Sequence, residues 1–164
     1  MPSERVPLDP AVAWVDLPPD GGWAALDERL RALAGQTRVV VVRAGAAQPA
    51  GSHGTAGGAP REVAARGRVI ERLSSPDTVF VAVVEGPCGG AGLAIALGCD
   101  LLLAAEGAEL VFSSPELFGV VASLGAAVGR VRALELCLTG RRLPAAEAAS
   151  FGLVNLVVGG GGGG

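Results

Sequence analysis

The chain has 164 residues, of which 50% are hydrophobic and 18% charged, and its formal net charge is −3. This length and apolar content predict one compact domain over residues 1–158, followed by a glycine tail, 159–164. All 13 basic residues are arginines interspersed with acidic residues, a pattern that does not favour nucleic-acid binding. Apolar runs stop short of the roughly 18–20 residues of a membrane span. The amino terminus lacks the basic-then-apolar pattern of a leader, so we expect a cytoplasmic protein.

The cysteines and the missing residue types narrow the possible chemistry. Cys88, Cys99 and Cys137 lie in apolar contexts and are odd in number, which favours buried thiols over disulfides or metal ligands. The chain has no lysine and no tyrosine, so Schiff-base and tyrosine-acid catalysis are excluded. The single histidine is His53, and no metal site is expected.

The first half of the chain alternates strands and helices. In chain order we predict a strand at 12–17, a helix at 23–34, a strand at 39–42, a loop at 44–60 and a helix at 61–73. Leucines at helical spacing define the first helix, and Gly35 ends it. In the second helix, Val63, Ile70 and Leu73 lie on one side.

The clearest pattern begins at Val79. Residues 79–84 are a continuous, largely β-branched apolar run, which predicts a strand buried on both faces. Glycines crowd the next turn, and an apolar helical segment follows at 93–97. A helix that opens on glycines presents unpaired backbone N–H groups at its positive end, with no side chain blocking a ligand oxygen. That arrangement is the chemistry of an oxyanion site.

The remaining elements continue the alternation. They are strands at 101–104 and 109–112, a helix at 128–138 and a short helix at 144–151 that ends at Gly152. Repeated units of this kind predict an α/β domain.

Three segments of the chain resemble the signatures of the crotonase (enoyl-CoA hydratase/isomerase) superfamily, in the right order. The glycine turn is similar to the family pattern VNGxAxGGGxExAxxCD through Val84, Gly86, Gly90, Gly92, Cys99 and Asp100. LVFSSPE at 110–116 and the stretch 132–158 resemble the second and third signatures, and TRVVVVRAG at 37–45 is a weaker similarity. The resemblance implies a crotonase-like (ClpP/crotonase) spiral of repeated strand-strand-helix units, truncated at both ends.

The resemblance also implies an oxyanion hole. In the family, two backbone N–H groups bind the thioester oxygen and stabilise the enolate. By register with the CD pair, one donor falls on Ala91, beside Gly90. The other donor is Ser52 in PAGSH or Gly58 in AGG, and the sequence leaves both registers open. His53 lies in the same loop, either as an acid or base near neutral pH or as an exposed loop residue.

Hydratases of the superfamily hold a water between two glutamates. Ala94 stands at the first of these positions, whereas Glu116 in SSPE matches the second. A lone carboxylate is able to take a proton from one carbon and return it to another, so isomerisation is preferred over hydration. The segment after Glu116 is several residues shorter than is usual in the family. This shortening puts in question whether the Glu116 carboxylate reaches the substrate.

The resemblance implies an enzyme that needs no separate cofactor and acts on an acyl thioester of coenzyme A or of an acyl carrier protein. It also implies a homo-oligomer, a trimer or hexamer, with no nucleic-acid or membrane partner. The alternative is a non-catalytic homologue that binds an acyl thioester or serves as a structural subunit. A weaker alternative is thioester decarboxylation or hydrolysis, which would use His53.

Overall fold

The structure is a computed structural model that describes residues 11–17, 22–44, 60–112 and 121–159. Its elements, in chain order, are β1 (Val12–Asp16), α1 (Trp23–Leu33), β2 (Val39–Ala44), α2 (Pro60–Leu73), β3 (Val79–Val84), β4 (Pro87–Gly89), α3 (Gly90–Gly98), β5 (Leu101–Ala105), β6 (Glu109–Val111), α4 (Val121–Val128), α5 (Arg130–Thr139), β7 (Arg142–Pro144), α6 (Ala145–Ser150) and β8 (Leu156–Val158).

Within the described residues, the strands form two sheets. The larger sheet has the order β1-β2-β3-β5-β8 and is parallel throughout. The smaller sheet has the order β4-β6-β7, with a parallel pair and an antiparallel pair. This mixed architecture with a parallel sheet confirms the predicted fold class. The sequence did not indicate β4, β7 or β8, each of which has three residues.

The core lies on one face of the larger sheet. Val15, Val42, Ala82 and Leu102 stand side by side in register across four strands, and all of them belong to the buried core. Helix α3 packs on this face against β2 and β3. We call this side of the larger sheet the inner face. The packing of α3 on the inner face positions the start of α3 at one edge of the sheet.

The prediction that residues 79–84 are buried on both faces was wrong. Phe80, Ala82 and Val84 are buried on the inner face, but Val79 is 45% exposed on the other. In the described residues, the core cluster takes its members of the larger sheet from the inner face alone. A continuous apolar run therefore does not reveal by itself how many faces of its strand are covered.

The apolar side of the second helix is only partly buried. The buried residues of α2 are Ala65, Val69 and Leu73, which follow one another at four-residue spacing. Val63 and Ile70 are exposed. An alanine is as effective as a larger residue where a helix approaches its neighbour closely, so the stripe runs through Ala65 rather than through Val63.

The predicted helix at 128–138 is divided differently in the structure. Val128 ends α4, and α5 begins at Arg130. Between them Gly129 has φ +84°, a left-handed conformation that breaks the helical hydrogen-bond ladder. The short helix predicted at 144–151 is α6, which begins one residue later because Pro144 caps it.

A buried carboxylate joins α1 to α2. Asp27 is 2% exposed and accepts hydrogen bonds from Arg68 Nε at 2.7 Å, Arg72 Nε at 3.1 Å and Arg31 Nη2 at 3.1 Å. Burial acts to raise the pKa of the Asp27 carboxyl, but the hydrogen bonds and charges of these arginines outweigh it, and the pKa lies below the ordinary value of 3.8. The cluster holds the two helices together on the core side of the sheet.

Candidate functional site

The glycine turn between β3 and α3 has the backbone that its sequence predicts. Gly90 has φ +56°, in the left-handed region that favours glycine. At Gly89 an added Cβ would lie 3.2 Å from both the Cβ and the carbonyl oxygen of Val111. Two of the glycines are therefore needed for the path of the chain, one for its torsion angle and one for the close approach of β4 to β6.

Helix α3 begins at this turn with its backbone amides uncovered by any capping side chain. Its N-cap residue is Gly89, in an extended conformation, and no side chain of the described residues caps the helix. The first N–H groups of an α-helix have no partner within the helix, and they form its positive end. Gly90 and Ala91 are the first two residues of α3. The amides of Gly90 and Ala91 therefore lie at the uncapped amino end of the helix, and the role of Ala91 as a donor stays a prediction.

One parallel strand pair brings a second chain segment to the start of α3. In the smaller sheet Gly89 pairs with Val111 at the end of β6, so the chain departs from β6 beside Gly90. In the larger sheet Ala44, at the end of β2, pairs with Val84, at the end of β3. Parallel strands finish at the same edge of a sheet, so β2 ends level with β3, ahead of β4 and α3. Such edges are where α/β proteins bind ligands.

The other predicted site residues are not placed by the structure. Those outside the described residues are Ser52, His53, Gly58 and Glu116. The first three follow β2 in the sequence, and the last follows β6. Their roles in the site stay predictions, and the choice between Ser52 and Gly58 stays open. The structure adds only that β6, which leads to Glu116, ends beside Gly89 and Gly90, whereas β2 ends beside Val84.

Ala94 stands where hydratases of the resembling family have their first glutamate. It is 2% exposed and belongs to the core cluster. It lies three residues after Ala91 on the same helix, so the two residues share a face of α3. The methyl group at this position contributes to packing and has no capacity to hold a water or a proton.

The three cysteines are free thiols, but of the predicted buried thiols only Cys88 is buried, and Cys99 and Cys137 are half-buried. Cys88 is buried, and burial raises the pKa of its thiol to about 12. Burial and then the charge of Asp100 raise the pKa of Cys99 to about 12, and burial also raises the pKa of Cys137. Cys99 Sγ donates to the Ile95 carbonyl at 3.3 Å. A raised pKa disfavours the thiolate, which is the nucleophilic form of a cysteine.

Two polar residues of the signature segments have structural contacts. Asp100 Oδ2 accepts a hydrogen bond from the Phe80 N–H at 2.8 Å, while the Asp100 N–H donates to the Phe80 carbonyl at 2.9 Å. Asn155 Oδ1 accepts from the Leu102 N–H at 2.8 Å. Sequence reasoning did not single out Asn155, although it lies inside the third signature. Both side chains hold the start of β5, just beyond the end of α3.

The ranges that the structure describes contain neither a metal-binding cluster nor a membrane-spanning helix. No group of three or more histidine, cysteine or acidic residues in these ranges is placed to hold a metal ion. No helix among them is long and apolar enough to cross a membrane.

Comparison with known proteins identifies the family. A family model described as enoyl-CoA hydratase/isomerase matches residues 55–160. The chain belongs to the enoyl-CoA hydratase/isomerase family. A Mycobacterium leprae (strain TN) relative named "Probable enoyl-CoA hydratase echA8" is 40% identical over 94 residues, which cover 53% of this chain and 36% of the relative. The match therefore spans little more than a third of that protein.

Solved structures of the family have the same fold. A monofunctional enoyl-CoA isomerase from M. smegmatis superposes with a TM-score of 0.74 at 31% identity, covering 94% of this chain and 75% of that one. An enoyl-CoA hydratase homologue from Thermobifida fusca YX, in complex with CoA, gives 0.71 at 29% identity, covering 93% and 70%. These likenesses confirm the crotonase-like architecture. Members of the family are enzymes, and relatives named as hydratases and as an isomerase are both among these matches.

Proposed function

We propose that this chain acts on an acyl thioester, with the main-chain amide of Ala91 as one of two donors to the thioester oxygen. The observation that carries the proposal is the uncapped amino end of α3, which follows directly on the pairing of Gly89 with Val111 at the end of β6. Enolate formation places negative charge on that oxygen, and a preorganised amide at a helix amino terminus stabilises it. Coenzyme A is the favoured carrier because a structural neighbour contains CoA, and an acyl carrier protein is the alternative.

The preferred reaction is isomerisation of a 3-enoyl thioester. Glu116 takes a proton from C2, and the electron pair is delocalised onto the thioester oxygen that the amides hold. The protonated carboxyl then returns its proton to C4, and the double bond moves from C3–C4 to C2–C3. Hydration would require a second group to position water, and the buried methyl of Ala94 does not supply one. One carboxylate is therefore sufficient for the isomerisation but not for the two-glutamate hydration.

The amide donor is tested with a matched pair of substitutions at one position. Ala91→Pro removes the N–H but is compatible with the first turn of a helix, whereas Ala91→Ser retains the N–H at similar volume. We expect Ala91→Pro to lower the rate of 3-enoyl-CoA isomerisation by roughly 10²–10³-fold, as loss of one oxyanion donor does elsewhere. Ala91→Ser should retain most of the rate. Equal rates for the two folded variants would remove this amide from the mechanism.

The proton carrier is tested in the same assay. Glu116→Gln should abolish turnover and leave binding of the CoA thioester, measured by calorimetry, within a fewfold of the parent. The control is Glu106→Gln, because Glu106 is an exposed carboxylate in the turn after β5. If Glu116→Gln and Glu106→Gln isomerise the substrate equally fast, Glu116 is not the base.

A second candidate is a non-catalytic family member that binds an acyl thioester. The observation that favours it is the buried alanine at position 94, where two-glutamate members have a catalytic group. Exchange of the C2 hydrogens of an acyl-CoA in heavy water separates the two candidates. An enolising site exchanges deuterium into C2, whereas a binding protein leaves C2 unlabelled even when calorimetry shows saturation.

A further inference from the structure

The segment from β3 through α3 is a closed unit whose two ends meet at Asp100. Asp100 Oδ2 accepts a hydrogen bond from the Phe80 N–H at 2.8 Å, and the Asp100 N–H donates to the Phe80 carbonyl at 2.9 Å. Phe80 is the second residue of β3, and Asp100 follows Cys99, the C-cap residue of α3. This reciprocal pair of bonds, which we call the Asp100 clamp, closes the unit at the end opposite Gly90 and Ala91.

The packing around α3 leaves its position along its own axis to the ends of the helix. Every residue of 91–96 is buried, and six successive residues cover all sides of a helix. Apolar burial has no directional preference, whereas a hydrogen bond weakens steeply outside a narrow range of distance and angle. The directional contacts at the two ends of α3 therefore set its axial position.

The two ends of α3 are held in different ways. The amino end has no capping side chain among the described residues, and it depends on the backbone of Gly90 and on the pairing of Gly89 with Val111. The carboxyl end is held to β3 by the Asp100 clamp. An α-helix advances about 1.5 Å per residue, so Asp100 lies about 14 Å along the axis from the Ala91 amide. Because the helical hydrogen bonds fix this length, a displacement at the clamp is passed on to the amide.

We propose that Asp100 is a positioning residue for the Ala91 amide and acts through the length of α3. The inference rests on the proposed function, in which this amide donates to the thioester oxygen. Loss of the Asp100 side-chain bond frees the end of α3 from the start of β3, so the helix slides against the strand. A displacement of about 1 Å at the reacting groups costs on the order of a hundredfold in rate. The main-chain bond of Asp100 to Phe80 limits the displacement, so we expect a loss of roughly tenfold.

A second clamp of the same form supplies a matched control. Asn155 Oδ1 accepts a hydrogen bond from the Leu102 N–H at 2.8 Å, and the Asn155 N–H donates to the Leu102 carbonyl at 2.8 Å. Asp100 and Asn155 are both exposed, and each bonds to a buried residue. The Asn155 clamp joins the residue before β8 to β5 and does not include α3. The two clamps should therefore contribute similarly to stability and differently to the rate.

Isomerisation of a 3-enoyl-CoA by the full chain tests the proposal. Asp100→Ala should lower kcat by roughly tenfold and change KM by less than about twofold, because the amide acts on charge that develops after binding. Asp100→Asn should retain kcat within about twofold of the parent, since its side-chain oxygen accepts the same bond from Phe80. Asn155→Ala should also retain kcat, although urea denaturation shows the same loss of stability as in Asp100→Ala. If Asp100→Ala does not fold, Asp100→Glu displaces the carboxylate by one methylene group and makes the same comparison.

Amide NMR of the isotope-labelled chain, recorded without substrate, reports on the helix end directly. Asp100→Ala should shift the resonances of Gly90 and Ala91, and Asn155→Ala should leave them in place. If the parent does not isomerise the thioester but the resonances shift in this selective way, the proposed function fails and the positioning role stands. Resonances that Asp100→Ala leaves in place overturn the positioning role. So does an active parent whose kcat is unchanged in Asp100→Ala or is lowered equally in Asn155→Ala.

Discussion

The left-handed backbone at Gly90 permits a prediction whose size follows from one torsion angle. With φ at +56°, a Cβ at this position costs roughly 1–2 kcal/mol. Gly67 is the matched control because it lies inside α2, where an added Cβ meets nothing within 4 Å. There, Gly→Ala should stabilise the protein by roughly 0.5–1 kcal/mol. The free energies of unfolding of Gly90→Ala and Gly67→Ala should therefore differ by about 1.5–3 kcal/mol.

Urea denaturation measures this difference. With a slope of about 2 kcal/mol per molar urea, the two midpoints should lie roughly 1 M apart, Gly90→Ala being the lower. Gly90→Ala should also slow isomerisation by roughly a hundredfold, because relaxing the torsion angle re-aims the Ala91 amide by about 1 Å. Gly67→Ala should leave the rate unchanged. Equal urea midpoints for the two variants would refute the left-handed backbone at Gly90. If the Gly90→Ala variant is destabilised but isomerises the substrate at an unaltered rate, the placement of the donor at Ala91 is refuted.

Two further predictions concern ionisable groups. Asp27→Asn leaves the three arginines facing a neutral amide and should lower the free energy of unfolding by about 2–3 kcal/mol. This loss is smaller than that expected for a fully buried ion pair because the arginine side chains are half-exposed. The pKa of Asp27 in the folded protein lies below 3.8. The stabilisation that the Asp27 carboxylate gives to the folded protein is therefore present above about pH 4 and is lost as the pH falls through the folded pKa. The urea midpoints of the parent and of Asp27→Asn should converge only in acid. Cys88, with its pKa raised to about 12, should resist alkylation at pH 8 in the native protein and react in 6 M guanidinium, as followed by mass spectrometry; rapid native labelling of Cys88 would contradict its burial.

The elements that the sequence predicted well are those whose signal is local. The run at 79–84 and the glycines after it define β3 and the start of α3, because β-branched residues and left-handed glycines have strong backbone preferences. The three-residue strands β4, β7 and β8 were missed, since three residues carry no periodicity and each strand is defined by its partner. The division of α4 from α5 required the torsion angle of Gly129, which a helical pattern does not show.

Long-range contacts account for the remaining differences. The sequence around Asp27 is typical of an exposed helical position. Its burial depends on two arginines of α2, which lie 41 and 45 positions away in the chain. The buried stripe of α2 passes through Ala65 because of what packs against it, not because of its hydrophobicity. For the site, Ala91 and Gly90 were predictable from signature register alone. The second donor and the proton carrier are predicted in segments distant in sequence from α3, and local patterns gave only candidates for them.

Strand register at Ala44 and Val84 separates two tasks in this fold. The ends of β2 and β3 are held by the sheet, and the amides of α3 are held by the turn at Gly90. The strand pairs that position those amides do not include the connection between β2 and α2, which carries Ser52 and Gly58. We therefore expect substitutions in this connection to alter the second oxyanion donor while the Ala91 amide keeps its position.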